Sequence, residues 1–525
     1  MHKREMNIYK TVLKNNLKKL LSLYNADRNS ATFGYGDRDY WGWKIKDFNN
    51  ATLQGGVHSL SIALKLGLFS REEKLYVLNT IDAAIMAVNS IRDKNGSVVE
   101  AYPHENSFCV TALVAFDILS CIMNIDSLVS NNEKSKYLDT VKPLIDFINK
   151  YDENHAVISN HLATGAAAIA LWNEVSGDKN ERYEELLEII YANQSDEGWY
   201  REYEGADPGY QTLCTYYLSA IYNITGESRL YDSLKKSAVF LEKFIHPDGT
   251  IGGLYGSRNT EVCYPGGIVA LSSKIEEFAL LAKYLEPGSQ SIFPENIDMG
   301  NFVPLLNSYA VAAIIYESNN QRITKCRLNP FFSLCKSINF KDAGLFLLST
   351  RNYFAIVNYK KGGVIKVFNK STGLLEIEDG GLFGILENGK KFSTQIYNYS
   401  VDFSNNTIES DFYLLNESYP NSVTTIILRI LSITLFKSVF LGDLFKKAIV
   451  KMMMTGKTQI DGKAKRNFKF LQDKIIVVEK IVKPKKCVMI KRMGKSKSIH
   501  MASSGYFHKQ DYHNKTSRLI EFIND

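Results

Sequence analysis

Apolar residues recur at helical spacing in ten segments of the first three-fifths of the chain: 9–24, 76–88, 109–123, 137–149, 161–175, 183–193, 211–222, 233–245, 275–285 and 304–316. Each predicts a helix with one apolar face. The loops between them recur weakly, as Asp152-Glu153-Asn154-His155, Asp196-Glu197-Gly198-Trp199 and Pro247-Asp248-Gly249-Thr250. Their spacing of about 45–50 residues is the length of a helical hairpin with its connections. Hairpins repeated at that interval predict an (α/α) toroid whose loops line a cleft at one end.

Beyond about residue 335 the pattern changes. Short β-branched and aromatic runs at 345–359, 364–368, 374–378, 408–414, 474–481 and 488–491 are separated by Gly-Gly, Lys-rich and Asn-Gly turns such as Asn388-Gly389. They predict a C-terminal antiparallel β-sandwich. The expected architecture is multidomain, α then β: a helical α/α-toroid domain over residues 1–325 and a β-sandwich domain over 335–525. Residues 425–454 interrupt the strand pattern as an amphipathic helix, with Arg429, Lys437, Asp443, Lys447 and Lys451 mainly on one face. Its longest uncharged stretch falls well short of the roughly 20 residues of a membrane span. It reads as a cover for the β-domain or as a basic interfacial helix on anionic lipid.

Composition narrows the class. A chain of 525 residues that is 45% hydrophobic and 12% aromatic supports more than one packed core. Its seven cysteines (Cys109, Cys121, Cys214, Cys263, Cys326, Cys335 and Cys487) form no CxxC pair, so buried free thiols are expected rather than disulfides or a zinc site. No metal or other cofactor is expected. The first thirty residues read as an amphipathic helix, with Leu13, Leu17, Leu20 and Leu21 interrupted by Lys14, Lys18 and Lys19. A secretory leader needs an uncharged run there, so a cytoplasmic location is expected, peripheral to a membrane if the basic helix docks.

Charge is divided unevenly. Residues 1–320 hold 29 Lys and Arg against 40 Asp and Glu, whereas residues 321–525 hold 34 against 16. A balance of +18 in the second part suits an anionic partner: an acidic polysaccharide or oligosaccharide, a nucleic acid, or an anionic membrane surface. No nucleic acid is expected, because the basic stretch 483–497 has no aromatic residues to interleave with bases. Met454-Thr455-Gly456-Lys457-Thr458 ends like a phosphate loop, but Lys451 stands where that motif requires glycine. No HExxH, GxSxG or dinucleotide fingerprint is present.

The candidate chemistry lies at loop-to-helix junctions. Asn160-His161 opens a helix of very small residues, offering an amide and an imidazole. One hairpin later come Trp199, Glu204-Gly205 and Tyr210. A third loop carries Tyr255 and Arg258, the latter able to clamp a carboxylate with two parallel hydrogen bonds. Trp41, with Trp43 and the segment Gln54-Gly55-Gly56-Val57-His58, adds candidate sugar-stacking and subsite groups. Each has a structural alternative: helix capping for Asn160, groove packing for Tyr210 and the tryptophans, and a brace from Arg258 to Glu261.

Asn160-His161 before a small-residue helix, then Asp-Glu-Gly-Trp with Glu204-Gly205 and Tyr210 one hairpin on, ahead of a β-sandwich, resembles the heparinase II/III-like and alginate-lyase superfamily. The resemblance implies a lyase acting on uronic-acid-containing polysaccharide by proton abstraction at C5 and β-elimination. It assigns neutralisation of the uronate carboxylate to Asn160, with His161 and Tyr210 as base or acid; Tyr255, Arg258, Glu204, Trp41 and Trp199 are the substrate-binding candidates. The β-region departs from that pattern in lacking a Gly-His-rich strand, its late histidines being His500, His508 and His513. The same residues would serve a uronyl C5-epimerase. A non-catalytic polysaccharide-binding protein of surface-polysaccharide biosynthesis and a glycoside hydrolase using Asp39 and Glu204 are the rival readings.

Overall fold

The computed structural model describes residues 7–153, 156–285, 292–318, 326–415, 419–451, 456–495 and 517–524. Asn154, His155, the end of segment 425–454, Met454 and Thr455 of the phosphate-loop-like turn, and the three late histidines lie outside them. Among the described residues, six helices form an inner ring: α3 (Val57–Lys65), α5 (Phe108–Ile125), α7 (Ser159–Ser176), α9 (Pro208–Thr225), α11 (Pro265–Leu271) and α13 (Met299–Ser318). Each packs on the next, and α13 closes on α3. Outside them lie α1 (Ile8–Leu21), α4 (Arg71–Ile91), α6 (Asn131–Lys150), α8 (Arg182–Ala192), α10 (Ser228–Leu241) and α12 (Glu276–Tyr284), with the single turn α2 (Arg38–Trp41) in the loop before α3. This closed double ring is the toroid expected from the hairpin spacing.

The two rings differ in why they are helical. Outer helices are amphipathic: α8 buries only Leu186, Leu187 and Ile190. Inner helices are buried nearly all round, α7 from Ser159 to Trp172 apart from His161. Small residues permit this closeness. A Cβ built on Gly165 would meet the Phe108 ring at 2.9 Å, so the ring from α5 fills the space a side chain at this position of α7 would need. Among the described residues, the two helices long and apolar enough to cross a membrane, 108–128 and 299–318, are the inner helices α5 (extended by one turn) and α13.

The C-terminal part holds two sheets. β1 (Ser337–Phe340), β2 (Leu345–Ser349), β3 (Tyr353–Asn358), β4 (Val364–Asn369) and β5 (Leu374–Asp379) form an antiparallel meander in sequence order. The second sheet contains β6 (Leu382–Leu386), β7 (Lys391–Ser393), β8 (Thr407–Leu414), β9 (Gln459–Phe470), β10 (Ile475–Val482), β11 (Cys487–Arg492) and β12 (Ile520–Asn524), in the order β11-β6-β7-β8-β9-β10-β12. Every pairing is antiparallel except β10 with β12. Tyr353, Val357, Ile365 and Val367 meet Ile408, Phe468, Ile475 and Val477 between the sheets. The opposite face of the meander, through Phe354, Ile356 and Phe368, joins the core of the toroid beside Phe240 and Phe244. β3 is therefore buried at every residue, and the two parts share one apolar seam.

Between β8 and β9 the chain leaves the sheet as two helices, α14 (Ser422–Thr434) and α15 (Val439–Val450), where a single helix is expected from the sequence. Phe436 ends the first by turning into the protein against Tyr102 and Phe445, with ring centroids 5.6 and 4.6 Å away. All seven cysteines are free thiols; Cys121, Cys214 and Cys263 are buried, whereas Cys335 is exposed, against the expectation that all are buried.

Candidate active site

The loops entering the inner helices meet at one end of the toroid. Backbone hydrogen bonds join Ala51 to Val99, Ser159 to Arg201, and Ser257 to Ala206, and the Tyr264 N–H donates to Thr212. Inner helices entered from one end direct their N-termini, and so the positive ends of their dipoles, toward the same cleft. That field favours an anionic ligand. Strain collects here as well. Lys44, His104, Asn106, Tyr203 and Asn259 hold positive φ in these loops, and Tyr203, at φ 55°, has the bulkiest side chain to accommodate in it.

Three of the sequence candidates converge with one residue the sequence did not mark. Glu202, fully buried, accepts the Asn160 backbone N–H at 3.0 Å and its side-chain amide at 2.8 Å. The Arg258 guanidinium lies 3.5 Å from the same carboxylate. It stacks over Tyr210, 3.8 Å from the ring centroid, and reaches within 5.0 Å of the Tyr203 ring. Burial raises the Glu202 carboxyl, opposed by Arg258 and Asn160. Burial disfavours the Arg258 charge too, but Tyr210, Glu202, Tyr203 and Asp207 outweigh it and strengthen the guanidinium as a cation. Asn160 thus directs its amide toward Glu202, and Arg258 meets Glu202.

Asp207 positions this group. As N-cap of α9 it accepts the Tyr210 N–H at 3.0 Å through one oxygen and the Arg258 N–H at 2.8 Å through the other. One buried carboxylate therefore fixes both the phenol and the cation. The loop that carries Arg258 is held from the β-part. Lys361 donates to the carbonyls of Leu254 and Gly256 at 2.9 and 2.7 Å and to the Asn259 side chain. Asn358 donates to the Tyr255 carbonyl at 2.7 Å, and Glu378 accepts the Leu254 N–H at 3.2 Å.

His161 lies near the same cluster, close enough for its charge to act on Glu202 and Tyr203. Its Nδ1 is 2.7 Å from Glu153, and its side chain keeps 20% of its accessibility. Burial alone would lower it; Cys109 and Glu153 beside it raise it well above the ordinary histidine range. Burial holds Cys109 as a neutral thiol, so the charge sustaining the imidazolium is that of Glu153. Glu100, from the loop before α5, is a further group the sequence reading did not single out. It touches solvent, yet enough protein surrounds it that desolvation, then Glu105, push it up to about 7. Its carboxyl senses His161, Asp298 and Lys446.

The remaining candidates lie elsewhere. Tyr255 is fully buried, with its hydroxyl 2.8 Å from His246 Nε2 and accepting the Gly252 N–H, behind the loop rather than in the cleft. Trp199 is buried and donates to Glu197, whose carboxylate receives the N–H groups of Asp342 and Ala343 from the β-part. Glu204 pairs with Lys457 at 2.7 Å, another tie between the two parts. Trp41 is half-buried and donates to the Leu23 carbonyl. Gln54 and His58 are buried in the helical core, the latter 3.0 Å from Asp117. Among the described residues no group of three or more His, Cys, Asp or Glu is arranged to hold a metal ion.

No protein-family model and no curated protein sequence matches the chain. Among solved structures it is similar to a Paenibacillus xanthan lyase (TM-score 0.47, 10% identity), covering 78% of this chain and 44% of that one. It is also similar to heparinase III (0.46, 11% identity, 78% of this chain and 67% of the other). A cellobiose 2-epimerase from Bacillus thermoamylovorans is matched over 59% of this chain and all of that one, with TM-score 0.43 and 13% identity. The chain thus spans less than half the length of the xanthan lyase.

Proposed function

We propose that the protein acts on a uronic-acid-containing polysaccharide by removing the proton at C5 and expelling the O4 substituent by β-elimination. The observation that carries this reading is the packing of Arg258 against both Tyr210 and Glu202 at the positive end of the inner helices. C5–H becomes acidic only when the charge that develops on the adjacent carboxylate is balanced. Arg258 and the His161 imidazolium supply two positive charges for that, with the helix dipoles behind them. Tyr210, in the first turn of α9 with Arg258 over its ring, takes the C5 proton. The C5–H electron pair forms the C4–C5 double bond as the O4 group departs. Glu100, poised at about 7, returns a proton to the leaving oxygen. Asn160 holds Glu202, and Glu202 holds Arg258 toward Tyr210.

The same groups would serve a uronyl C5-epimerase if reprotonation from the opposite face outran departure of the O4 group. A cleft that only binds the chain is the non-catalytic rival. Incubation with polyuronides and glycosaminoglycans separates the three. Growth of ultraviolet absorbance from a 4,5-unsaturated product identifies elimination. Deuterium entry at C5 from heavy water without that absorbance identifies epimerisation. Binding with neither signal on any acidic glycan rejects catalysis.

A further inference from the structure

α14 and α15 leave the β-part and lie beside the toroid's loops at the helix-entry end, and among the described residues much of their outward side is exposed. Of α14 only Ser432 is buried. Val423, Ile426, Ile427, Ile430 and Ile433 form a stripe at helical spacing, each 51–65% exposed. α15 continues it with Phe440 at 76% and Leu444 at 60%. The loop 43–48 adjoins it: Arg429 bridges Asp47 at 2.8 Å and stacks over Phe48, and the same loop exposes Trp43 (69%) and Ile45 (73%). A soluble surface scatters such residues singly; a contiguous stripe with a tryptophan at its edge marks an interaction face.

Charge identifies the occupant. Residues 419–451 carry Arg429, Lys437, Lys446, Lys447 and Lys451 against one acid, Asp443. Lys437, Lys447 and Lys451 are exposed beside the stripe. Two copies meeting face to face would set these lysines against one another. A bilayer with anionic headgroups takes both features at once: isoleucine and phenylalanine enter the headgroup–acyl boundary, lysines meet phosphate, and tryptophan sits at the interface. The helices have 13 and 12 residues, too few to span, so they would lie in the interface plane.

The geometry points to α14, α15 and the tip of loop 43–48 as a docking face for an anionic phospholipid surface. The reverse side of the pair touches the loop before α5, where Lys446 and the Phe436 carbonyl meet Asn106. Docking would therefore seat the Glu100 side of the cleft next to the bilayer. Each lysine near such a surface contributes about fivefold in affinity, so three predict binding on the order of 100-fold tighter than to neutral lipid.

The test is co-sedimentation of the full chain with vesicles of phosphatidylcholine alone or mixed with phosphatidylglycerol, at low and high salt. Binding to the anionic vesicles only, weakened by salt and lost in Ile430→Asp with Phe440→Asp, supports the face. Both substitutions are at exposed positions, and an unchanged melting temperature verifies folding. Lys437→Glu with Lys447→Glu should weaken binding about 25-fold or more. Equal binding by wild type and variants, no binding to anionic vesicles, or a dimer dissolved by Ile430→Asp would overturn it. Turnover of a soluble oligosaccharide by the Ile430→Asp variant tests the cleft separately, so failure of one proposal leaves the other standing.

Discussion

Replacing Arg258 by methionine removes a buried cation from between a carboxylate and a phenol while keeping most of its volume. At 3.5 Å and an effective dielectric of about 20, the Arg258–Glu202 attraction is roughly 5 kcal/mol. Desolvation offsets part of it, and stranding one member of a buried pair typically costs about 3–5 kcal/mol. Stacking on Tyr210 adds up to about 2 kcal/mol in a desolvated setting. Arg258→Met should therefore lose about 3–5 kcal/mol at pH 7.5. Glu202→Gln alongside it should recover at least half, because no charge is then left buried. The loss should also be smaller at pH 5 than at pH 7.5, because burial raises the stranded Glu202 carboxyl and so favours its neutral form as pH falls. Urea unfolding of the wild type, both single variants and the double variant at the two pH values measures this, as differences between variants of one chain. A loss below 1 kcal/mol, or a double variant no more stable than Arg258→Met, would refute the coupling.

Two further outcomes follow from the same geometry. Asp207→Asn keeps an N-cap but weakens its hold on the Tyr210 and Arg258 N–H groups, so stability should fall by about 1–2 kcal/mol while turnover falls at least tenfold with little change in KM. Glu100, raised in the fold from 4.5 to about 7, contributes stability that is fully present below about pH 4.5 and lost as pH rises through 7; Glu100→Gln should flatten that part of the stability–pH curve and remove the matching limb of the pH–rate profile.

The outer helices were legible from their one wet face, and the buried inner helices α5, α7, α9 and α13 from their length of 18 to 20 residues. α3 and α11 were missed because they are short, 9 and 7 residues, and Gly266 and Gly267 at the start of α11 are loop-like in composition. β9 was hidden by Lys463, Lys465, Arg466 and Lys469, although it runs between β8 and β10; its Arg466 turns inward between Asp379 and Glu479. At the site, the loop-to-helix position of Tyr210 was readable from the Asp207-Pro208 cap before it, and that of Asn160-His161 from the small-residue run that follows, although α7 itself has no side-chain cap. Nothing local distinguishes Glu202 from Glu204 two residues on; the fold buries the first against Arg258 and turns the second to Lys457. Tyr255 was a substrate-binding candidate from its loop, yet serves His246 in the core, a pairing set by tertiary packing. Glu100 had only a second glutamate five residues on, ahead of a helix start, to mark it.

The central claim is that Tyr210 removes the C5 proton of a uronate. Release of isotope from a C5-labelled polyuronide into water reports that step for elimination and epimerisation alike. Wild-type protein should release the label and Tyr210→Phe, with unchanged melting temperature, should release at least 100-fold less. Equal release by the two proteins would contradict the claim.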